Sequence, residues 1–203
     1  EGGEMSNKVE GVVNIPATDR LAFRGVIYSD QRGGYIDNVQ GTRDASESGR
    51  FRPAGTVRRN GVVVDSSQNG FQAGADLSGV NFIEANNANL VEENFNDTDY
   101  LGFRLGALYE VNDDWRVYVN HSRQRIESDG VFFYDPELPD PDQLSIQRYS
   151  NDELEDSYGS TSWTVEGRLG ALEALYTGAY LDRKSQQTID YTDYLFVGQY
   201  LPY

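Results

Sequence analysis

The sequence predicts an all-β fold: an antiparallel, up-and-down segment of a transmembrane β-barrel, with about six strands in three hairpins. Three observations support this prediction. Apolar and polar residues alternate along six stretches, as they do in strands with one apolar face. Short turns and long loops follow one another in strict alternation. Only 38% of the 203 residues are hydrophobic, against roughly 45–50% in a self-contained soluble globule.

The first hairpin joins the alternating stretches Lys8–Asn14 and Leu21–Asp30 through the segment IPATDR, which we expect to be a turn. In its second stretch Leu21, Phe23 and Ile27 share one face, because successive strand residues point to opposite faces of a sheet. The hairpins are expected at about 5–30, 99–125 and 158–184, and the outer loops at about 31–98, 126–157 and 185–203.

The second hairpin is DYLGFRLGALYEVNDDWRVYVNHSRQ, with NDD as its tight turn. Four residues of its apolar face are expected to contact lipid: Phe103, Leu105, Val117 and Val119. Four polar residues are expected to face the barrel lumen: Arg104, Glu110, Arg116 and Asn120. A soluble β-sandwich would show the same alternation, so the faces alone leave both classes open.

The third hairpin combines Thr161–Leu169 with Glu173–Arg183. In the first of these stretches, Trp163 and Val165 lie on one face and Glu166 lies on the other. The second stretch gives no clear assignment, because leucines and tyrosines occur on both of its faces.

The connections between hairpins are the more informative feature. About 70 residues separate the first two hairpins and about 30 the next two, whereas compact soluble domains prefer connections of roughly 2–6 residues. Outer-membrane barrels alternate short periplasmic turns with long extracellular loops. Since a membrane barrel needs at least about 8 strands, we expect residues 1–203 to be a contiguous arc of a larger barrel and part of a longer protein.

Composition excludes several kinds of site. A net charge of −16 repels nucleic acid, and the absence of cysteine excludes disulfides and thiolate metal sites.

The only histidine, His121, is expected to be a strand residue near the outer rim. The segment Asp65–Asp76 partly fits a calcium loop, but its flanks do not, and we expect a turn-rich surface loop. No catalytic constellation accompanies the many carboxylates, so we expect neither an enzyme nor a bound cofactor or metal.

The outer loops carry the candidate ligand-binding residues. Six aromatic residues offer surfaces for stacking and hydrogen bonding: Phe132, Phe133, Tyr134, Tyr149, Tyr191 and Tyr194. Four arginines offer attraction to an anionic ligand on an otherwise acidic surface: Arg50, Arg52, Arg58 and Arg59.

Several segments resemble the TonB-dependent outer-membrane receptors of Gram-negative bacteria. VEGVVNIPATDRLAFRGVIYSDQRGGYIDNV resembles the first barrel strands of that family, with its NIP turn, its LAFR strand and its GGYIDN exit. VEENFNDTDYLGFRLGALYEVNDDW, DGVFFYDPEL and SWTVEGRLGALEALYTGAYLDR resemble the strands and loops that follow.

The resemblance implies an outer-membrane barrel of about 22 strands that imports a scarce ligand, such as a ferric siderophore. It implies outer-membrane lipid as a partner. It also implies contact with the TonB energy-transducing complex through a plug domain that this sequence does not contain. The alternative is a soluble or secreted β-rich adhesion or glycan-binding module, and an outer-membrane enzyme is a weaker third reading.

Overall fold

A computed structural model describes residues 2–57, 61–82, 84–136, 138, 143–192 and 194. The all-β prediction is confirmed: strands dominate, and the helices of the described residues are two short 3₁₀ turns, Ala45–Glu47 and Ser66–Gln68. The strands are β1 (Asn7–Thr18), β2 (Leu21–Arg32), β3 (Asp37–Asn38), β4 (Thr42–Asp44), β5 (Glu84–Asn86), β6 (Thr98–Glu110), β7 (Trp115–Asp129), β8 (Ser145–Ile146), β9 (Glu153–Leu169) and β10 (Leu172–Thr188). Within those residues, no helix is long and apolar enough to cross a membrane.

The six long strands form one sheet in the order β1-β2-β6-β7-β9-β10, and each neighbouring pair is antiparallel. Its three tight turns therefore lie at one end of the sheet, which we call the turn end. The long connections leave from the opposite end, the loop end. The three predicted hairpins are all present. The four short strands inside the long loops were not predicted.

The hairpin strands are longer than the alternation indicated. β9 begins at Glu153 rather than Thr161, and β10 continues to Thr188. These extensions are mostly polar on both faces, with Leu154 and Tyr158 as exceptions, so they show no regular alternation, although their backbone pairing is continuous. The turn predicted over IPATDR was wrong for most of its length, because β1 runs through Pro16 to Thr18. Pro16 fits there because the register between β1 and β2 shifts directly after it, and proline is tolerated at such irregularities.

The strand register assigns the faces, since residues directly opposite each other in an antiparallel pair share a face. The four residues expected on the apolar face of the second hairpin do share it, with Leu105 opposite His121 and Val119 opposite Ala107. The four polar residues expected on the other face are also together there. β10 is now resolved: Tyr176 and Tyr180 lie on the apolar face.

The outer loops fold into a separate layer at the loop end. β3 pairs with β8 in parallel, and β4 pairs with β5 in antiparallel fashion. A small apolar core of Ile36, Val131 and Ile146, with Phe95 packed against it, joins the first long loop to the second. The two loops therefore hold each other, and we call this layer the loop cap.

Candidate functional site

One face of the large sheet carries an apolar band that runs from edge to edge. The band residues of β1, β2 and β6 are Val9, Val13, Ile15, Leu21, Phe23, Ile27, Leu101, Phe103, Leu105, Ala107 and Tyr109. Those of β7, β9 and β10 are Trp115, Val117, Val119, Trp163, Val165, Leu169, Leu172, Ala174, Tyr176 and Tyr180. Many of these side chains are more than half exposed in the chain, so the band is an uncovered surface.

The band has sharp borders along each strand. On β6 it extends from Leu101 to Tyr109, about 27 Å at roughly 3.4 Å per residue, and Asp99 follows on the same face. On β1 it ends at Val9, and Asn7 follows. A band of this length along inclined strands is comparable with the apolar belt of outer-membrane barrels, which is about 25 Å tall.

A register line joins the residues that are directly paired with one another across the six strands. Both borders of the band are inclined to these lines. At the loop end, the band stops on β10 at Tyr180. Val13 of β1 lies on the register line of Tyr180, but the band on β1 continues four residues further, to Val9. At the turn end, Leu21 lies on the register line of Tyr176, and the band on β10 continues four residues further, to Leu172. The two borders are therefore inclined in the same direction, by four residues over five strand spacings at the loop end and over four at the turn end.

The inclination can be expressed as an angle. From β1 to β10, four residues correspond to about 14 Å along the strands, and five inter-strand spacings correspond to about 24 Å across them. The band therefore makes an angle of about 30° with the register lines. In a membrane barrel the strands tilt by about 35–45°, and a belt of constant height then crosses the register obliquely in this way.

The opposite face is polar and densely contacted. Arg116 pairs with Glu166 across β7 and β9, and the Tyr28 hydroxyl donates a hydrogen bond to Gln124. Tyr118 covers the small residue Gly106 on the neighbouring strand, so a side chain at that position would contact its hydroxyl at 2.9 Å. A crowded polar face of this kind is typical of a barrel interior.

The loop cap is fastened by a buried charge network that we call the clasp, consisting of Arg148, Asp152 and Asp190. Arg148 donates two hydrogen bonds to the Asp152 carboxylate, from Nε at 2.6 Å and from Nη2 at 2.8 Å, and a third to the Asp190 carbonyl at 2.6 Å. The Asp190 amide donates to Asp152 at 2.8 Å. All three residues are buried, so the clasp ties the second loop to the residues that follow β10.

Asp190 is held in its charged form. Burial alone would raise the pKa of its carboxyl. Hydrogen bonds from Thr192 and from the Tyr149 amide, together with the charge of Arg148, instead keep this pKa below the ordinary value. The folded clasp therefore favours the carboxylate.

Buried asparagines connect the strands of the loop cap. The Asn38 amide donates to the carbonyls of Leu90 and Arg148, and its oxygen accepts from the Arg148 amide at 2.8 Å. Asn87, with no exposed surface, accepts from the Gly41 amide at 2.7 Å. These side chains replace regular backbone pairing within the cap, which satisfies polar groups that would otherwise be buried without partners.

The structure gathers half of the predicted aromatic residues around the clasp. The Arg148 guanidinium lies 5.6 Å from the Phe133 ring centroid, and Tyr149 is held by the Asp190 carboxylate. Tyr191 follows Asp190, and its ring is 5.0 Å from that of Tyr194. Most of this aromatic surface is exposed: Phe132, Phe133, Tyr134, Tyr191 and Tyr194 are each about half exposed or more.

Two of the predicted arginines, Arg50 and Arg52, are not part of that cluster. Arg50 lies 4.5 Å above the Phe71 ring, and Arg52 donates to the Glu47 carbonyl at 3.1 Å. Both therefore contribute to the internal packing of the first long loop. Arg58 and Arg59 lie outside the described residues.

A cavity of about 340 Å³ lies between the loop cap and the sheet. Six carboxylate residues line it: Glu4, Glu92, Asp97, Asp129, Asp152 and Glu153. Within the described part of the chain, no group of three or more side chains has metal-binding geometry. The Asp65 carboxylate, in the segment that partly fits a calcium loop, accepts from the Ser67 and Gln68 amides and caps a 3₁₀ turn.

Sequence reasoning missed the clasp and the buried asparagines Asn38 and Asn87. The residues of the clasp are separated by up to 42 positions, and polar residues are common in any loop, so no local pattern marks them.

No family model, no curated protein and no solved structure matches this chain.

Proposed function

We propose that this chain is part of the wall of an outer-membrane β-barrel importer. In this arrangement the apolar face contacts lipid, the turn end faces the periplasm, and the loop cap faces the outside. The oblique apolar band is the observation that carries the proposal. Its length along the strands, the common direction of its two borders and the inclination of about 30° at the loop end are those expected of a wall of tilted strands in a bilayer.

The soluble alternative accounts less well for the same face. The core of a soluble domain is enclosed by polar residues on every side. Here the band continues to both edge strands, where Val13 of β1 and Tyr176 of β10 remain more than half exposed. An open sheet of this kind also leaves two unpaired edges, and further strands of a closed barrel would cover both.

The loop cap supplies the ligand-binding part of the proposal. The Phe133 ring packs on Arg148, and the backbones of Tyr149 and Tyr191 adjoin Asp190, so the clasp fixes their positions while Phe133 and Tyr191 keep aromatic surface in solvent. Such surfaces stack on planar groups of a small ligand, and a ferric siderophore is one candidate. Energy would come from the TonB complex through a plug domain, as the resemblance of the strand segments implies. This role requires no catalysis by the chain.

Tryptophan quenching by brominated phosphatidylcholine tests the membrane placement. The chain contains two tryptophans, Trp115 and Trp163, and both lie on the apolar face near opposite borders of the band. Replacing either with Phe isolates the other. We expect both to be quenched in vesicles, and more strongly by bromines near the carbonyl groups than by bromines at the chain ends.

A matched pair of variants compares the two faces. In a background without the native tryptophans, Leu105→Trp places the probe at the centre of the band, and Tyr118→Trp places it on the opposite face. We expect strong quenching of the first probe and weak quenching of the second. Equal quenching of the two, or none for Leu105→Trp, would contradict the membrane placement and favour a soluble adhesion or glycan-binding module.

The ligand-binding role needs a separate measurement. In a bacterial strain that depends on the full-length protein for iron, Phe133→Ala combined with Tyr149→Ala should reduce growth on the required ferric chelate. Phe71→Ala, in the first long loop, is the matched control. Normal growth of the double variant, at normal protein levels in the outer membrane, would contradict this role for the aromatic cluster.

A further inference from the structure

Cations occupy the apolar face immediately beyond the loop-end border of the band. On β7, Arg123 and Arg125 follow His121, and on β10, Lys184 lies two residues beyond Asp182. The register places Arg125 and Lys184 on one line, separated only by Ser157 of β9. On β7, β9 and β10, these two register lines hold three cations and one carboxylate, whereas the whole chain has a net charge of −16.

Two of these cations are available to a ligand. Arg125 forms an ion pair with Glu127. Neither Arg123 nor Lys184 forms an ion pair or side-chain hydrogen bond with any residue that the structure describes, and both are exposed. Both side chains are therefore accessible to a ligand, and Asp182, on the register line of Arg123, offsets part of their charge.

A cavity of about 220 Å³ opens on the same face at this border. Gly159 leaves the space, and Ser157, Thr161 and Tyr180 contribute hydroxyl groups to its wall. Arg123 and the carboxylate residue Asp182 also line the cavity, and Lys184 lies beyond it, two residues after Asp182 on β10. The Thr161 hydroxyl lies 2.8 Å from Nδ1 of His121. The cavity thus has hydrogen-bonding groups at one end and the apolar band at the other.

We propose that this border site binds the anionic phosphate headgroup of a lipid in the outer leaflet. The inference rests on the membrane placement of the apolar face proposed above. Arg123 and Lys184 attract the phosphate, the hydroxyl groups of the cavity wall donate hydrogen bonds to its oxygens, and the acyl chains lie along the band. Basic residues at the level of the headgroups bind anionic lipids in this manner.

The position of the site favours a lipid over a soluble anion. The cations lie one or two register lines from Tyr180 and two or three from Trp163, the last apolar residues of β10 and β9, so that a bound phosphate would sit at the headgroup level. Beyond Arg125 and Lys184, the next register line carries Glu127 and Glu155, which repel anions approaching from solvent.

Lipid-selective quenching of Trp163 tests the inference. The chain carrying Trp115→Phe is placed in phosphatidylcholine vesicles that contain a minor fraction of one brominated lipid, either phosphatidic acid or phosphatidylcholine. We expect brominated phosphatidic acid to be enriched near Trp163 by at least about fivefold over brominated phosphatidylcholine. Arg123→Gln combined with Lys184→Gln should bring this ratio close to one.

The control is Arg104→Gln, which removes one positive charge from the adjacent strand but on the opposite face. It should leave the enrichment unchanged. Absence of enrichment in the unsubstituted site, or enrichment that survives the double substitution, would overturn the inference. Failure of the membrane placement would show differently, because Trp163 would then not be quenched by brominated phosphatidylcholine at all.

Discussion

Substitution of Leu105 by arginine is the sharpest test of the proposed wall. Leu105 lies at the centre of the band on β6, four residues from Leu101 and four from Tyr109, or about 14 Å from each border along the strand. A cation on the lipid face costs about 2–4 kcal/mol near the bilayer midplane and about 0–1 kcal/mol near the interface. Leu105→Arg should therefore weaken membrane association by about 30-fold to several hundredfold.

The strand provides its own control. Leu101 lies on the same face of the same strand, and it is 57% exposed in the chain against 56% for Leu105, so the two positions differ in depth rather than in exposure. Leu101→Arg should weaken association by no more than about fivefold.

The assay is flotation of the chain with phosphatidylcholine vesicles over a range of lipid concentrations, which gives the partition free energy of each variant. Equal losses at Leu101 and Leu105 would refute the depth argument and indicate a protein-covered core. No loss at either position would refute any burial of this face.

Three further predictions concern the loop cap. Arg148→Met should make residues 130–152 sensitive to limited proteolysis, because loss of one partner from a buried ion pair costs about 3–5 kcal/mol. Asn38→Ala should speed hydrogen exchange at the Arg148 amide, because that amide loses its acceptor and an unsatisfied buried group costs about 1–3 kcal/mol. Unchanged exchange would contradict the role of Asn38 in connecting the strands of the loop cap. The clasp should also be sensitive to acid. The pKa of Asp190 is below the ordinary value, so its stabilising effect is complete above about pH 4 and is lost as the pH falls through the lower pKa of the folded state. Proteolysis by an acid-active protease should therefore rise only below about pH 4, and Asp190→Asn should abolish this step.

The strand faces could be predicted because an alternation with a period of two survives in the sequence wherever one face is apolar. Phe103 and Val117 were assigned correctly for that reason. β10 was ambiguous because Leu175 and Leu181 occur on the polar face, and only its register with β9 resolves it. The oblique course of the band was equally inaccessible, since it depends on how six strands align with one another.

The strand ends and the loop cap could not be predicted, for a different physical reason. The outer parts of β9 and β10 are mostly polar on both faces, and their order comes from backbone pairing that any sequence can make. The clasp joins Arg148 to Asp190 through a contact that the loop fold creates. Residue type alone selected Tyr149 and Tyr191, which the structure brings to the clasp, but it also selected Arg50, which packs on Phe71.

The continuous pairing of β9 and β10 beyond the band has a mechanical consequence. The eight residues of β10 that follow Tyr180, from Leu181 to Thr188, extend the sheet by about 27 Å past the border, and each has a partner on β9. To bend this projection, several backbone hydrogen bonds would have to break together. The paired strands therefore form a stiff projection. In the proposed barrel wall, this projection would hold the aromatic cluster at a fixed height above the headgroups. Ligand capture would then take place clear of the crowded lipid surface, at a distance determined by the strand length.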